Sequence, residues 1–368
     1  MTEPMDFLSV ARPRLPTADA LIPYLREIDE ARWYTNGGSL LKRFETRLAD
    51  HFAGDSERPA AVAAVSSATM GLVLALLATT GGRGGTCLMP SWTFAATACA
   101  VTAAGLTPRF VDVDPDTWLP DRAAVEAELA AGPVTAVVLV VPGGAWPDLD
   151  AWHRLTARHR TALVVDAADG FDTVRPGPVA QVVSLHACKA FGVGEGGLVV
   201  SADTALVDTV RRLANFGFDG RRTAIASGLN GKMSEYTAAV GHAALDVWPD
   251  TRRAWLAVAD TYRTLLHRFG LALLFDGDRA RSTALVDVGT PLAGAIEAAL
   301  HAQGVEVRRW WGDGCHRQPA FAAFPSGDLS VTERLASRVL GLPFHPDLGT
   351  ADAERVVRLL GRTLGIGE

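Results

Sequence analysis

The sequence predicts an α/β protein whose mostly parallel β-sheet is covered on both faces by helices. The first observation is alternation: between residues 60 and 201 short apolar runs take turns with helical patterns, the spacing of strands joined by helical crossovers. The second is size, since 368 residues at 48% hydrophobic and 21% charged can bury a large core and suggest two domains.

Residues 20–52 are helical in pattern, interrupted by a turn composition at Tyr34-Thr35-Asn36-Gly37-Gly38. The helix from Ser39 to His51 places Leu40, Leu41, Phe44 and Leu48 on one face. A strand at 60–66 leads into Ser67-Ala68-Thr69, which opens an apolar helix from Met70 to Leu77. That junction reads as an ordinary N-cap, or as an anion site built from free amides and the helix dipole. Strands follow at Thr86–Met89, Pro108–Val113, Val134–Val141 and Ala162–Val165. The helices between and after them are Thr93–Ala104, Arg122–Ala130 and Leu149–His159. Asp166 closes the last of these strands, at the carboxyl end where ligands of such sheets bind. Beyond residue 201 helices are expected at Ala205–Ala214, Met233–Trp248 (broken by Pro249-Asp250) and 252–268. Segments 283–288, 292–303 and 305–310 then alternate as a smaller α/β unit closed by a final helix, Ala351–Leu364.

Net charge is −6 with a pI near 5.9 and no basic stripe, so nucleic acid is not an expected partner. Cys87, Cys99, Cys188 and Cys315 have no metal-like spacing and read as free thiols of a cytoplasmic protein. Adjacent Cys315 and His316 do not suggest zinc, and no metal is expected. The start MTEPMDFLSVARPRLP does not read as a signal peptide, and no apolar run is long enough for a membrane helix.

The stretch VVSLHACKAFGVGEGGLVVS, residues 182–201, organises the chain. Lys189 stands in a locally near-chargeless segment between two strands, where desolvation disfavours an ammonium and favours Schiff-base chemistry. The following glycines precede a strand rather than a helix, so they are not a dinucleotide fingerprint. Gly231-Lys232 lacks the remaining P-loop residues. A lysine, a strand-end aspartate, a hydroxyl-bearing helix start and an aromatic after Pro90 together suit pyridoxal 5′-phosphate. Its aldehyde needs an amine, its pyridine nitrogen a carboxylate, its phosphate oriented donors and its ring an apolar cover.

Seven ordered segments, VSSATMGLVLAL, PSWTFAATACAVTAAGLTPRFVDVDPDTW, VVDAAD, SLHACKAFGVGEGG, NGKMSEYTAAVG, GCHRQPAF and LGLPFHP, resemble the DegT/StrS family of fold-type-I aminotransferases. The resemblance covers nearly the whole chain. It implies a large cofactor-binding domain over residues 1–250, including an N-terminal helical arm and a seven-stranded sheet. A smaller C-terminal α/β domain would cover 251–368. The family acts mostly on nucleotide-linked keto sugars, here a dTDP- or UDP-deoxy-sugar of antibiotic or polysaccharide pathways with glutamate or glutamine as donor. Lys189 would form the internal aldimine and shuttle a proton, with pyridoxamine 5′-phosphate as intermediate, and Asp166 would pair with the pyridinium. Ser67, Ala68, Thr69 and Ser184 would hold the phosphate and Phe94 would stack on the ring. Asn230 would reach a neighbouring subunit's phosphate, which implies a homodimer with shared active sites. Substrate contacts are expected from Thr35, Asn36, Gly37, His186, Arg308, Trp310 and Trp311.

Four departures stand out. Asp169 occupies a cofactor-facing position where His or Gln is usual, and an acid there repels the ring oxygen unless protonated or turned away. Residues 142–146 differ from the usual loop, Ala68 replaces a glycine, and Lys232 is the basic residue near the Asn motif. The retained lysine argues against the family's histidine-bearing deoxygenating branch. A non-sugar or aminocyclitol carbonyl substrate, or a catalytically idle partner protein of the same fold, are the alternative readings.

Overall fold

A computed structural model describes residues 7–142 and 146–367. Two helices, α1 (Ala18–Ala31) and α2 (Ser39–Ala53), precede β1 (Ala61–Val65) and α3 (Ala68–Thr80). The alternating section continues through β2 (Gly85–Pro90), α4 (Ala95–Ala103), β3 (Leu106–Val111), α5 (Arg122–Ala131) and β4 (Ala136–Val140). It ends with α6 (Leu149–Arg158), β5 (Ala162–Asp166), β6 (Ala180–Ser184), β7 (Gly197–Ser201) and α7 (Thr204–Ala214). Then come α8 (Glu235–Asp246), α9 (Trp248–His267), β8 (Ala284–Asp287), α10 (Ala293–His301), α11 (Ser330–Arg338), β9 (Val339–Leu342) and α12 (Thr350–Leu364).

The main sheet has seven strands in the order β1-β7-β6-β5-β4-β2-β3. Only β7 runs antiparallel to its neighbours. Every residue of β4, β6 and β7 is buried, because helices cover both sides. Successive β4 side chains divide between the two layers. Ala136 and Val138 join Leu72, Leu74, Val101 and Val210 on the α3–α4–α7 side. Val137 and Leu139 join Phe44, Leu129, Trp152 and Leu155 on the other. Each buried valine, leucine or phenylalanine among them contributes about 1.5–3 kcal/mol on leaving water.

The expected strands and helices are present within one to three residues at most ends, and two segments differ. The helix expected at Met233–Trp248 spans only Glu235–Asp246, and Pro249 does not merely break it. Pro249 lies in the first turn of α9, where its missing N–H would have no intrahelical partner anyway. Segment 305–310 forms no strand: Val305 and Arg308 make single bridges to Leu8 and Gly341. The partner of β8 is instead β9.

The carboxyl ends of β1, β2, β4, β5 and β6 meet at one edge, joined there by the start of antiparallel β7. That edge carries the residues of interest.

Candidate active site

Lys189 sits in a tight loop between β6 and β7. The loop is closed by Leu185 N–H to Gly196 O (3.0 Å), Ala187 N–H to Gly194 O (2.7 Å) and Lys189 N–H to His186 O (2.9 Å). Its glycines have local causes. Gly194 has φ +102°, and a Cβ on Gly192 would stand 2.8 Å from Ala187 O. Phe191 anchors the loop from below, stacked on Phe171 with centroids 4.0 Å apart, and Trp255 of α9 donates to Ala190 O at 3.2 Å.

Asp166 ends β5 and is only 6% exposed. Thr97 Oγ1 donates to its Oδ2 at 2.7 Å and the Ala168 N–H to its Oδ1 at 3.2 Å. With its proton committed, Thr97 accepts from Thr93 Oγ1 at 2.9 Å. Burial pushes the carboxyl up; the Thr97 and Ala168 bonds and the nearby Lys189 charge hold it down. Such a carboxylate is poised to bind a proton carried on a ring nitrogen.

At the head of α3, Ser67 Oγ accepts from Met70 N–H at 3.1 Å. Helix geometry leaves the first amides, those of Ala68 and Thr69, without intrahelical acceptors. Residues 66–70 are partly open to solvent, whereas residues 71–76 are buried. Gly197 lies against this helix start: a Cβ there would come within 2.5 Å of the Ala68 amide nitrogen. Only glycine lets β7 support the cradle. Ser184 ends β6, largely buried, its Oγ accepting from His186 N–H at 3.2 Å.

Asp169 corrects the expectation of a chargeless lysine. Its Oδ1 lies 4.0 Å from Lys189 Nζ, with side-chain exposures of 13% and 23%. The segment around Lys189 is neutral along the chain, but the β5–β6 connection supplies a carboxylate in space. Asp169 is turned toward Ser282, accepting from its Oγ at 2.6 Å and its N–H at 3.1 and 3.2 Å. Sequence pattern does not single out Thr93, Thr97 or Ser282 as site residues. The i, i+4 spacing of Thr93 and Thr97 was the available signal for the first two, and nothing marks Ser282.

The other expected residues scatter. Phe94 caps α4 and is 62% exposed at the same edge, whereas Trp92 is buried against Trp311 and Trp118, with centroids 4.9 and 5.8 Å away. Trp311 therefore belongs to an aromatic cluster. Trp310 lies under the Arg308 guanidinium at 4.9 Å, and Arg308 pairs with Glu306 at 2.6 Å. His186 is exposed, with Nδ1 3.0 Å from Cys188 Sγ. Asn36 and Gly37 line a cavity of about 620 Å³ with Lys42, Arg211 and Lys232, apart from Lys189 and Asp166. Thr35, just outside that lining, is exposed. Asn230 is exposed and accepts from Lys232 Nζ at 2.7 Å. Residues 143–145 of the unusual loop lie outside the described residues.

An amine, a buried carboxylate one strand away and an open helix start on one sheet edge fit pyridoxal phosphate. The match to known proteins decides the family: the model of the DegT/DnrJ/EryC1/StrS aminotransferase family covers residues 17–361. The chain belongs to this family. It is similar to Protein Rv3402c of Mycobacterium tuberculosis, 33% identical over 369 residues that cover 94% of this chain and 87% of the relative. GDP-perosamine synthase of Caulobacter vibrioides is 29% identical over 375 residues, covering 97% and 98%. The crystal structure of DesI with its TDP-sugar product is 35% identical, with a TM-score of 0.86, covering 98% of this chain and 93% of that one. As a member of the DegT/DnrJ/EryC1/StrS family, the protein is an aminotransferase whose cofactor is pyridoxal phosphate.

Proposed function

We propose that this aminotransferase moves an amino group from glutamate or glutamine to a keto group, at C4 or C3, of a nucleotide-linked deoxy-sugar. The observation that carries the chemistry is the placement of Lys189 and buried Asp166 on one sheet edge beside the open start of α3. The sugar class is supported by similarity to a perosamine synthase and to an enzyme crystallised with a TDP-sugar. When bound, the cofactor supplies an aldehyde and an electron-accepting ring. Lys189 Nζ would hold the cofactor at that aldehyde and would carry a proton to and from the reacting carbon. Asp166, its orientation fixed by Thr97 and Thr93, would hold a proton at the ring nitrogen. The Ala68 and Thr69 amides and the Ser67 and Ser184 hydroxyls would bind its phosphate, and exposed Phe94 would cover a ring face. Arg308, Trp310, Trp311, His186 and the turn 35–37 are the candidates for substrate contact.

In the same reading the enzyme is a cytoplasmic homodimer with a cofactor-binding unit over 1–250 and a smaller unit over 251–368. Trp33, Tyr34, Phe216, Ile225 and Tyr236 are each 44–58% exposed, large apolar surface of the kind a partner subunit covers. Asn230 and Lys232, away from their own Lys189, would serve the partner's phosphate.

Absorption spectra test the function. Wild type with pyridoxal phosphate should gain a visible band that L-glutamate bleaches, and Lys189→Ala should lack it. The bleached enzyme should then aminate a nucleotide-linked keto sugar. A stable band in every amino donor would remove the transfer reaction, and turnover of only a non-sugar ketone would replace the substrate class.

A further inference from the structure

We propose that Asp169, oriented by Ser282, is the counter-ion that holds the Lys189 amine whenever no cofactor engages it. It is then a positioning residue, not a ligand of the cofactor. The proposal rests on the reading of Lys189 as the reactive amine.

Three features carry it. The Asp169 carboxylate is 4.0 Å from Lys189 Nζ and both side chains are largely buried, so water and salt screen the pair less than a surface pair. Its orientation is fixed, because the Ser282 Oγ and N–H bind the carboxylate at 2.6–3.2 Å. The Lys189 charge also acts on Asp166, but the carboxylate within 4.0 Å of Nζ is that of Asp169. Around this pair lie the Cys188 thiol and the buried Arg281 guanidinium, whose charge acts on Asp169. Held against a carboxylate that Ser282 fixes in place, the amine is restrained in the empty site. Ser282 lies just ahead of β8, 113 positions from Asp169, and its hold ties the C-terminal unit to the reactive lysine.

The chain has three lysines, Lys42, Lys189 and Lys232, so one labelling experiment resolves them all. Full-length, cofactor-free protein is treated with trinitrobenzenesulfonate at a fixed, mildly alkaline pH, and peptide mass spectrometry reads each rate. The neutral amine attacks the ring and sulfite leaves. Asp169→Asn should raise the Lys189 rate at least about fivefold, with Lys42 and Lys232 unchanged as internal controls. Ser282→Ala should raise it in the same direction, and Ser282→Thr, which keeps the hydroxyl, should match wild type. An unchanged or slower Lys189 in Asp169→Asn overturns the proposal. If the control lysines also move, the fold of that variant has changed, and the two Ser282 variants decide: equal Lys189 rates in both overturn it. Failure of the parent reading would show separately, as the absence of a cofactor band in wild type.

Discussion

Asp166 is a carboxylate taken out of water, and its environment decides whether it can serve. Thr97 supplies its shortest hydrogen bond, 2.7 Å, and a valine would fill the same space without the donor. Thr97→Val should cost about 1–3 kcal/mol of stability, measured by urea unfolding of the cofactor-free chain. In an Asp166→Asn background the same change should cost less, since no charge is left short of a donor. Equal costs in both backgrounds would show that Thr97 acts by packing alone. Much of this chemistry is legible in sequence because Lys189, Asp166 and Ser67 each sit at a junction marked by apolar runs or a cap. The Asp169–Ser282 contact is not. It depends on how two parts of the chain dock, and neither residue carries a periodic signal of the other.

At the scale of elements, α8 meets α1 and α2 through a histidine. His242 is fully buried; its Nδ1 accepts from Arg47 at 2.9 Å and its Nε2 donates to Leu40 O at 3.0 Å. Both roles belong to the neutral ring, and a second proton would face the guanidinium. Burial holds His242 below the usual histidine range, and does the same to His51, His316 and His345. The unfolded chain, with histidines near ~6.5, therefore binds more protons in mild acid. Their contribution to stability is complete above about pH 6.5 and is lost as pH falls toward the folded values. Tm should drop between about pH 7.5 and 5.5, and His242→Gln, which can still donate and accept, should flatten that slope. A slope identical to wild type would remove His242 from the account. Most elements were legible from apolar periodicity. The failures share a cause, for the ends of α8 and α9 and the bridges at 305–308 are set by packing, which residue pattern does not encode.

The whole molecule is where the partner subunit enters. If Asn230 and Lys232 complete a neighbour's site, a Lys189→Ala chain and an Asn230→Ala/Lys232→Ala chain should each be nearly inactive alone. Random mixing makes half the dimers hybrid, each with one intact site of two, so activity should return to roughly a quarter of wild type. Gel filtration of the mixture would confirm exchange, and no recovery despite exchange would place both residues within their own subunit's chemistry.

The strand order also sets a sequence in time. Among the described residues β1 has one strand partner, β7, with Ala61 opposite Ser201, and otherwise a single bridge from Val65 to Lys232, so a growing chain makes its first strand long before that strand has anywhere to lie. Until residues 197–201 emerge, β1 and the head of α3 wait unseated, while β2 to β5 can already assemble. The proposed cofactor site is thus among the last parts of the large sheet to form during synthesis. A chain cut short before β7 would be helical and partly sheeted, with the start of α3 missing the strand that lies against it.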